Sequence, residues 1–204
     1  TGFGVHISFG GHDLHGLAMG PDGKLYFRIA DRGLHVEQDG KTISSPDTGA
    51  VLRCNPDGSE LVLFATGFRN PQELAFDQYG NLRTGENNGD GGDKARWLYV
   101  VEGGNYGWHM GWQHLPGMGP WNSEKLWEMA GKSTAAYIIP PVAHIGHGPA
   151  GIAFYPGTGM PEKYQNHFFM CDFPGGVRTF TVQPPGRGFE LGRLVLPVIS
   201  GRAG

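Results

Sequence analysis

Three stretches of this chain follow one plan, and that repeat limits the folds open to it more than any other feature. "HGLAMGPDGKLYFRIAD" (15–31), "QELAFDQYGNLRTGE" (72–86) and "AGIAFYPGTGMPEKYQNHFFMCDF" (150–173) each join two apolar runs through a turn rich in Gly, Pro or Asp. A second pair of runs follows the first and third of them, "GAVLRCNPDGSELVLFATG" (49–67) and "GGVRTFTVQPPGRGFELGRLV" (175–195). Leu25, Phe27 and Ile29 alternate with Tyr26 and Arg28, the two-residue period of a half-buried strand. Pro-Asp-Gly at 21–23 and 56–58 is turn chemistry between such runs. The 36 glycines suit many tight turns, and the 39% hydrophobic and 12% aromatic content supplies a core.

Three to four short strands per unit, recurring at intervals of more than about forty residues, predict an all-β fold of propeller blades. The units run about 12–67, 68–148 and 149–204, with a long insertion at about 109–148 and one short helix near 123–131. Closed propellers need roughly four to eight blades, so about three blades mark a fragment of a larger wheel. An open part-wheel would expose strand edges. A net charge of −3 gives no reason to expect nucleic acid as a partner. No run reaches the roughly 18–20 apolar residues of a membrane span. Cys54 and Cys171 form no CxxC pair, and both read as buried free thiols in strands.

Four groups of residues can carry chemistry. His12 precedes the first strand of its hairpin and Asp31 ends the second, so both reach one rim. A carboxylate that fixes a histidine tautomer is the usual general-base arrangement, with polar turn residues as the bland alternative. In Arg69-Asn70-Pro71-Gln72, proline interrupts the ladder and displays three polar side chains at a strand start. Arg69 offers a planar fork for a carboxylate or a developing oxyanion, or forms a salt-bridged turn. The "GENNGDGGDKAR" loop gathers Glu86, Asn87, Asn88, Asp90 and Asp93, oxygen ligands of the kind Ca²⁺ prefers, without EF-hand spacing. His109, His114, His144 and His147 read as loop histidines lining a pocket, with no Cys or carboxylate completing a metal set. The tryptophans at 108, 112, 121 and 127 read as packing residues, with an aromatic rim that stacks on a sugar ring as the alternative.

"ATGFRNPQELAF", "EGGNYGW" and "GPDGKLYFRIADRG" resemble signatures of the soluble quinoprotein glucose and sorbosone dehydrogenase family. "GGHDLHG" and "ENNGDGGDKAR" are similar to the membrane-bound dehydrogenase domains of planctomycete-type bacteria. The resemblance covers most of residues 12–108. It implies a six-bladed propeller that uses pyrroloquinoline quinone (PQQ) and Ca²⁺ to oxidise a sugar or related alcohol, with electrons passing to a cytochrome c or another acceptor. By position it implies His12 as general base oriented by Asp31, and Arg69 facing the quinone. Asn70 and Gln72 become cofactor contacts, and Asn88, Gly89 and Asp90 the Ca²⁺ segment. A bacterial periplasmic or secreted location follows from the same resemblance, with any membrane association through regions outside this stretch. The chain departs from the family at "CDFPGGVRTF", which lacks its cofactor-facing lysine, and in the Ca²⁺ loop, which has an extra residue and no proline. Two other readings share the wheel: a Ca²⁺-dependent lactonase or esterase, which needs carboxylates converging on the channel, and a propeller that binds glycan or protein without catalysis.

Overall fold

The computed structural model describes residues 2–130, 137–183 and 190–195. Residues 131–136 of the expected insertion, the connection at 184–189 and the closing stretch 196–204 lie outside the described residues. Strands β1 (Leu14–Met19) and β2 (Leu25–Ile29) form an antiparallel hairpin, and β3 (Leu34–Gln38) and β4 (Lys41–Ser45) form a separate two-stranded flap. Strands β5 (Gly49–Cys54) and β6 (Val62–Phe68) continue the first sheet. A second sheet contains β7 (Pro71–Phe76), β8 (Leu82–Glu86) and β9 (Arg96–Val100). The chain then turns back, and β10 (Gly104–Asn105) pairs parallel with β6. Strand β11 (Ala143–His144) closes the far edge of β9. The third sheet is a meander of β12 (Gly148–Tyr155), β13 (His167–Phe173), β14 (Gly176–Gln183) and β15 (Glu190–Val195).

The three hairpins read from the sequence are the β1–β2, β7–β8 and β12–β13 pairs. Their first strands pack in succession, β1 on β7 and β7 on β12. Each of these strands breaks register at the same place: between His15 and Ala18, Pro71 and Leu74, and Pro149 and Ile152. A bulge bends a strand and re-aims its side chains. Here the bulged pairs Gly16-Leu17, Gln72-Glu73 and Ala150-Gly151 line one axial cavity of about 460 Å³, together with Leu14 and His15.

The core sits between sheets. Tyr26, Phe64, Leu74, Leu82, Leu98 and Tyr106 fill the first gap, and Trp97, Ile152, Phe168, Met170 and Phe180 the second. Strand β2 is not half-buried as its alternation suggests. It lies between β1 and β5, so Tyr26 meets the second sheet while Phe27 and Ile29 pack under the flap with Leu34 and Val36. Cys54 is buried, but Cys171 is exposed. Along β13 the buried Met170 and Asp172 bracket it, and the two-residue period turns Cys171 to the open face.

The helix of the insertion is α1 (Pro120–Ser123), three residues ahead of the expected start. Proline suits its first position, where no N–H is needed, and the left-handed φ of 50° at Lys125 follows its end. Trp108, Met118, Trp121, Leu126 and Trp127 form the buried cluster of this segment, so three of the four tryptophans are packing residues, with Trp112 partly buried against them.

Candidate functional site

The site gathers at the ends of the hairpins where the first strands begin. Register pairs Leu14 with Ile29, so the residues just outside the β1–β2 hairpin meet. His12 Nδ1 lies 2.7 Å from Asp31 Oδ1, with both residues buried (4% and 1% exposed). A carboxylate only accepts, so Nδ1 carries the proton and Nε2 is left as the accepting lone pair. Among the described residues Nε2 has no hydrogen-bond partner. Ser8 Oγ donates to the same Asp31 oxygen at 2.7 Å, and Trp108 Nε1 donates to the other at 3.0 Å. The Asp31 N–H donates to the Arg69 carbonyl at 2.8 Å, which fastens the dyad to the second group.

Arg69 is 2% exposed, and two of its guanidinium nitrogens are hydrogen-bonded. Nε donates to Gln113 Oε1 at 3.0 Å, one terminal nitrogen to the Asn88 carbonyl at 2.7 Å, and the other lies 3.6 Å from Asp90. The Phe9 and Trp108 rings flank it at 5.5 and 5.7 Å. Asn70 and Gln72 turn elsewhere. Their side-chain oxygens accept from the guanidinium of Arg28, at 3.2 and 2.9 Å.

Three parts of the Asn-rich loop behave differently. Glu86 is buried and withdrawn from solvent, taking the Arg69 N–H and an ion pair from Arg96, whose Nε lies 2.8 Å away. Asp93 is also buried, accepting the Gly89 N–H at 2.8 Å and Trp121 Nε1 at 2.7 Å. Both carboxylates hold the loop in shape, so neither Glu86 nor Asp93 is free to converge on the channel as a lactonase reading requires. Asn88 O faces Arg69, Gly89 O accepts from Gln113 Nε2 at 2.9 Å, and the Asp90 side chain is 79% exposed. The Asn87 side-chain oxygen is buried with no partner among the described residues. No group of three or more His, Cys, Asp or Glu side chains among the described residues could hold a metal. Any cation here would be bound largely by carbonyl oxygens.

The histidines separate. His144 has a carboxylate partner that its sequence neighbourhood does not reveal: Glu128 Oε1, 2.9 Å from Nε2. His147 lines a cavity of about 510 Å³ with Asn87, Asn88, Asp90, Gly148, Phe173 and Pro174. Asp172 fixes that wall by accepting the N–H groups of His147 and Gly148 at 2.8 and 3.0 Å. Burial by itself would raise its pKa, but these two donors and Arg178 hold the carboxyl below its ordinary range. His114 lines a smaller cavity of about 180 Å³ with Ile7, Ser8, Phe9, Asp31, Met110 and Gln113. Gln113 belongs to the small cavity and Asn88 to the large one. Arg69, bonded to both, stands between them.

Sequence reasoning missed Ser8, Arg28 and Gln113, and it read Trp108 as a packing residue or part of a sugar-stacking rim, not as a donor to Asp31. The one signal was the "EGGNYGW" signature that ends in Trp108. Strand β10 within it lies along β6, and the Trp108 N–H donates to the Gly67 carbonyl at 2.9 Å, which carries the indole to Asp31.

Comparison with known proteins bears on this arrangement. The family described as glucose/sorbosone dehydrogenase matches residues 5–176. Quinoprotein glucose dehydrogenase B of Acinetobacter calcoaceticus is 32% identical over 125 residues, covering 48% of this chain and 26% of that protein. The PQQ-bound aldose sugar dehydrogenase of Streptomyces coelicolor superposes with a TM-score of 0.55 at 23% identity, over 88% of this chain and 49% of its own. An oxidoreductase described as a glucose dehydrogenase, from Thermus thermophilus, gives 0.61 at 21%, over 96% and 56%. At these identities the two structures speak for the fold: the three sheets are part of a β-propeller. The chain spans about half the length of each structure and a quarter of the curated relative.

Proposed function

The chain belongs to the glucose/sorbosone dehydrogenase family, and from that premise we propose that it forms the catalytic side of a propeller that oxidises a sugar or related alcohol with PQQ and Ca²⁺. The observation that carries this reading is the buried His12–Asp31 pair, with its free Nε2, beside the fixed cation Arg69.

The residues present fit the two groups. Arg69 puts a permanent positive charge directly behind Asn88, which lines the 510 Å³ cavity, and that charge suits an anionic, oxygen-rich ring system. Asn87 Oδ1 is a buried oxygen in need of a donor or a cation, next to the Asn88 and Gly89 carbonyls and the exposed Asp90. Ca²⁺ would be held by Asn88, Gly89 and Asp90, whose oxygens are hard ligands on a Gly-rich loop. PQQ would lie against Arg69, Asn70 and Gln72. When bound, the quinone supplies the carbon that accepts hydride, and Ca²⁺ polarises its carbonyl.

The protein's own contribution is to orient groups and move a proton. Asp31 holds the Nδ1 proton of His12, so the imidazole presents Nε2 to the substrate. As the substrate C–H leaves as hydride, its O–H proton passes to Nε2. Asp31 stabilises the resulting imidazolium, and Ser8 and Trp108 keep the carboxylate from turning. Arg69 is held by two hydrogen bonds and by burial, so its charge is in place before negative charge develops. Electrons leave to a cytochrome c or other acceptor, and a periplasmic or secreted site of action accords with that partner.

Titration of the full-length protein with PQQ, with and without Ca²⁺, tests this reading through the cofactor's absorbance and through dye reduction with a panel of aldoses. Calcium-dependent binding and sugar-driven dye reduction are expected. No binding at saturating PQQ with Ca²⁺ would overturn it.

A further inference from the structure

Arg28 was expected to be an outward residue of a half-buried strand, yet it is fully buried on β2 with four acceptors around its guanidinium. One terminal nitrogen donates to the Asp13 carbonyl at 3.0 Å and to Asn70 Oδ1 at 3.2 Å. The other donates to the Gln72 carbonyl at 3.0 Å and to Gln72 Oε1 at 2.9 Å. Burial pulls its pKa down to about 9, opposed by Glu73 and Asp13, so it remains a cation at neutral pH.

A guanidinium has donors only. Whatever else the two carboxamides prefer, the atoms they turn to Arg28 must be their oxygens. Both NH₂ groups therefore face away from it, and neither has a protein partner among the described residues. Gln72 is one of the bulged pair of β7 and lines the axial cavity. We propose that Arg28 is the positioning residue of the Arg69–Gln72 segment, fixing Asn70 and Gln72 so that their side-chain amides offer only donors to a ligand. Such a site selects acceptor groups, carboxylate or quinone oxygens, and rejects ligands that present N–H or O–H donors there. The ligand class rests on the function proposed above. The orientation of the two amides does not.

The test uses the full-length protein with ¹⁵N in its Asn and Gln side chains. Relaxation of the two NH₂ groups is measured for the wild type and for Arg28→Lys, which keeps the charge but loses the fork. In the wild type both groups should be as ordered as rigid backbone, with an order parameter of about 0.85. In Arg28→Lys at least one should fall below about 0.6 while the backbone stays rigid. Mobile NH₂ groups in the wild type would overturn the proposal even if the variant does not fold, and so would unchanged order in a folded variant. PQQ titration of the same two samples reads the functional consequence. Affinity should weaken about tenfold in Arg28→Lys under conditions where the variant is folded, the scale of one strong hydrogen bond. Unchanged affinity would reduce Arg28 to a strut between sheets. Failure of the wild type to bind PQQ would instead sink the quinoprotein reading and leave the relaxation result to judge Arg28.

Discussion

Trp108 donates its indole N–H to the Asp31 carboxylate oxygen that His12 leaves free, at 3.0 Å and across 77 residues of chain. The insertion after the second sheet is thereby tied to the dyad of the first. Trp108→Phe keeps an aromatic ring against Trp121 and deletes the donor, leaving one buried carboxylate oxygen bare. A hydrogen bond to a charged group is worth about 1.5–3 kcal/mol, and denaturant unfolding should show a loss of that size. Turnover should fall more than the sugar's KM rises, because Asp31 acts on the proton transfer and not on sugar binding.

Glu86 is the hub beneath Arg69. It accepts the Arg69 N–H and pairs with Arg96, whose other terminal nitrogen holds the Tyr106 carbonyl at 2.6 Å. Glu86→Gln keeps the shape but strands a buried guanidinium, and breaking such a pair costs about 3–5 kcal/mol. Glu37, 62% exposed on the flap, is the control: Glu37→Gln should shift stability by less than about 0.5 kcal/mol.

Gly67 shows why the two family signatures occur together. Its φ is 87°, and a Cβ there would lie 2.4 Å from the Tyr106 nitrogen and 2.5 Å from that of Gly107. Gly67→Ala should cost more than the roughly 1–2 kcal/mol of a left-handed backbone alone, since the β6–β10 pairing must part. Loss of Trp108 fluorescence burial would accompany the lower melting temperature.

His15 gives the axial cavity a pH dependence. Burial, then the charge of Arg28, hold its pKa below the ordinary 6.5, and its Nε2 is buried without a partner. Between that depressed value and 6.5 the unfolded chain binds a proton that the folded chain refuses. Stability is therefore complete above 6.5 and falls as pH drops below it. His15→Gln removes the titration, so its melting temperature should decline less than the wild type's between pH 7 and pH 5.5. An equal decline in both would assign the acid sensitivity elsewhere.

What could be read from the sequence was local. The turn at Gly20–Lys24 closes the first hairpin as its Pro-Asp-Gly implies, with Gly20 and Lys24 bonded at 2.8 Å. His12 and Asp31 could be brought together because a hairpin register relates them. Arg28 could not be read as a buried fork, since alternation along β2 gives no sign that a second sheet covers its polar face. Trp108 and Gln113 reach the site from an insertion whose path depends on a two-residue parallel pairing, too short to leave a periodic trace. Glu128 meets His144 across sixteen positions of sequence, a separation that no strand or helix period relates.

Everything proposed for the dyad turns on His12 accepting the substrate proton as hydride leaves. Single-turnover reduction of the PQQ-loaded protein by an aldose, wild type against His12→Ala, measures that step directly. General-base catalysis contributes about 10²- to 10⁴-fold, so the variant should bind PQQ with wild-type affinity and be reduced slower by that factor. Reduction at the wild-type rate with His12 gone would contradict the assignment.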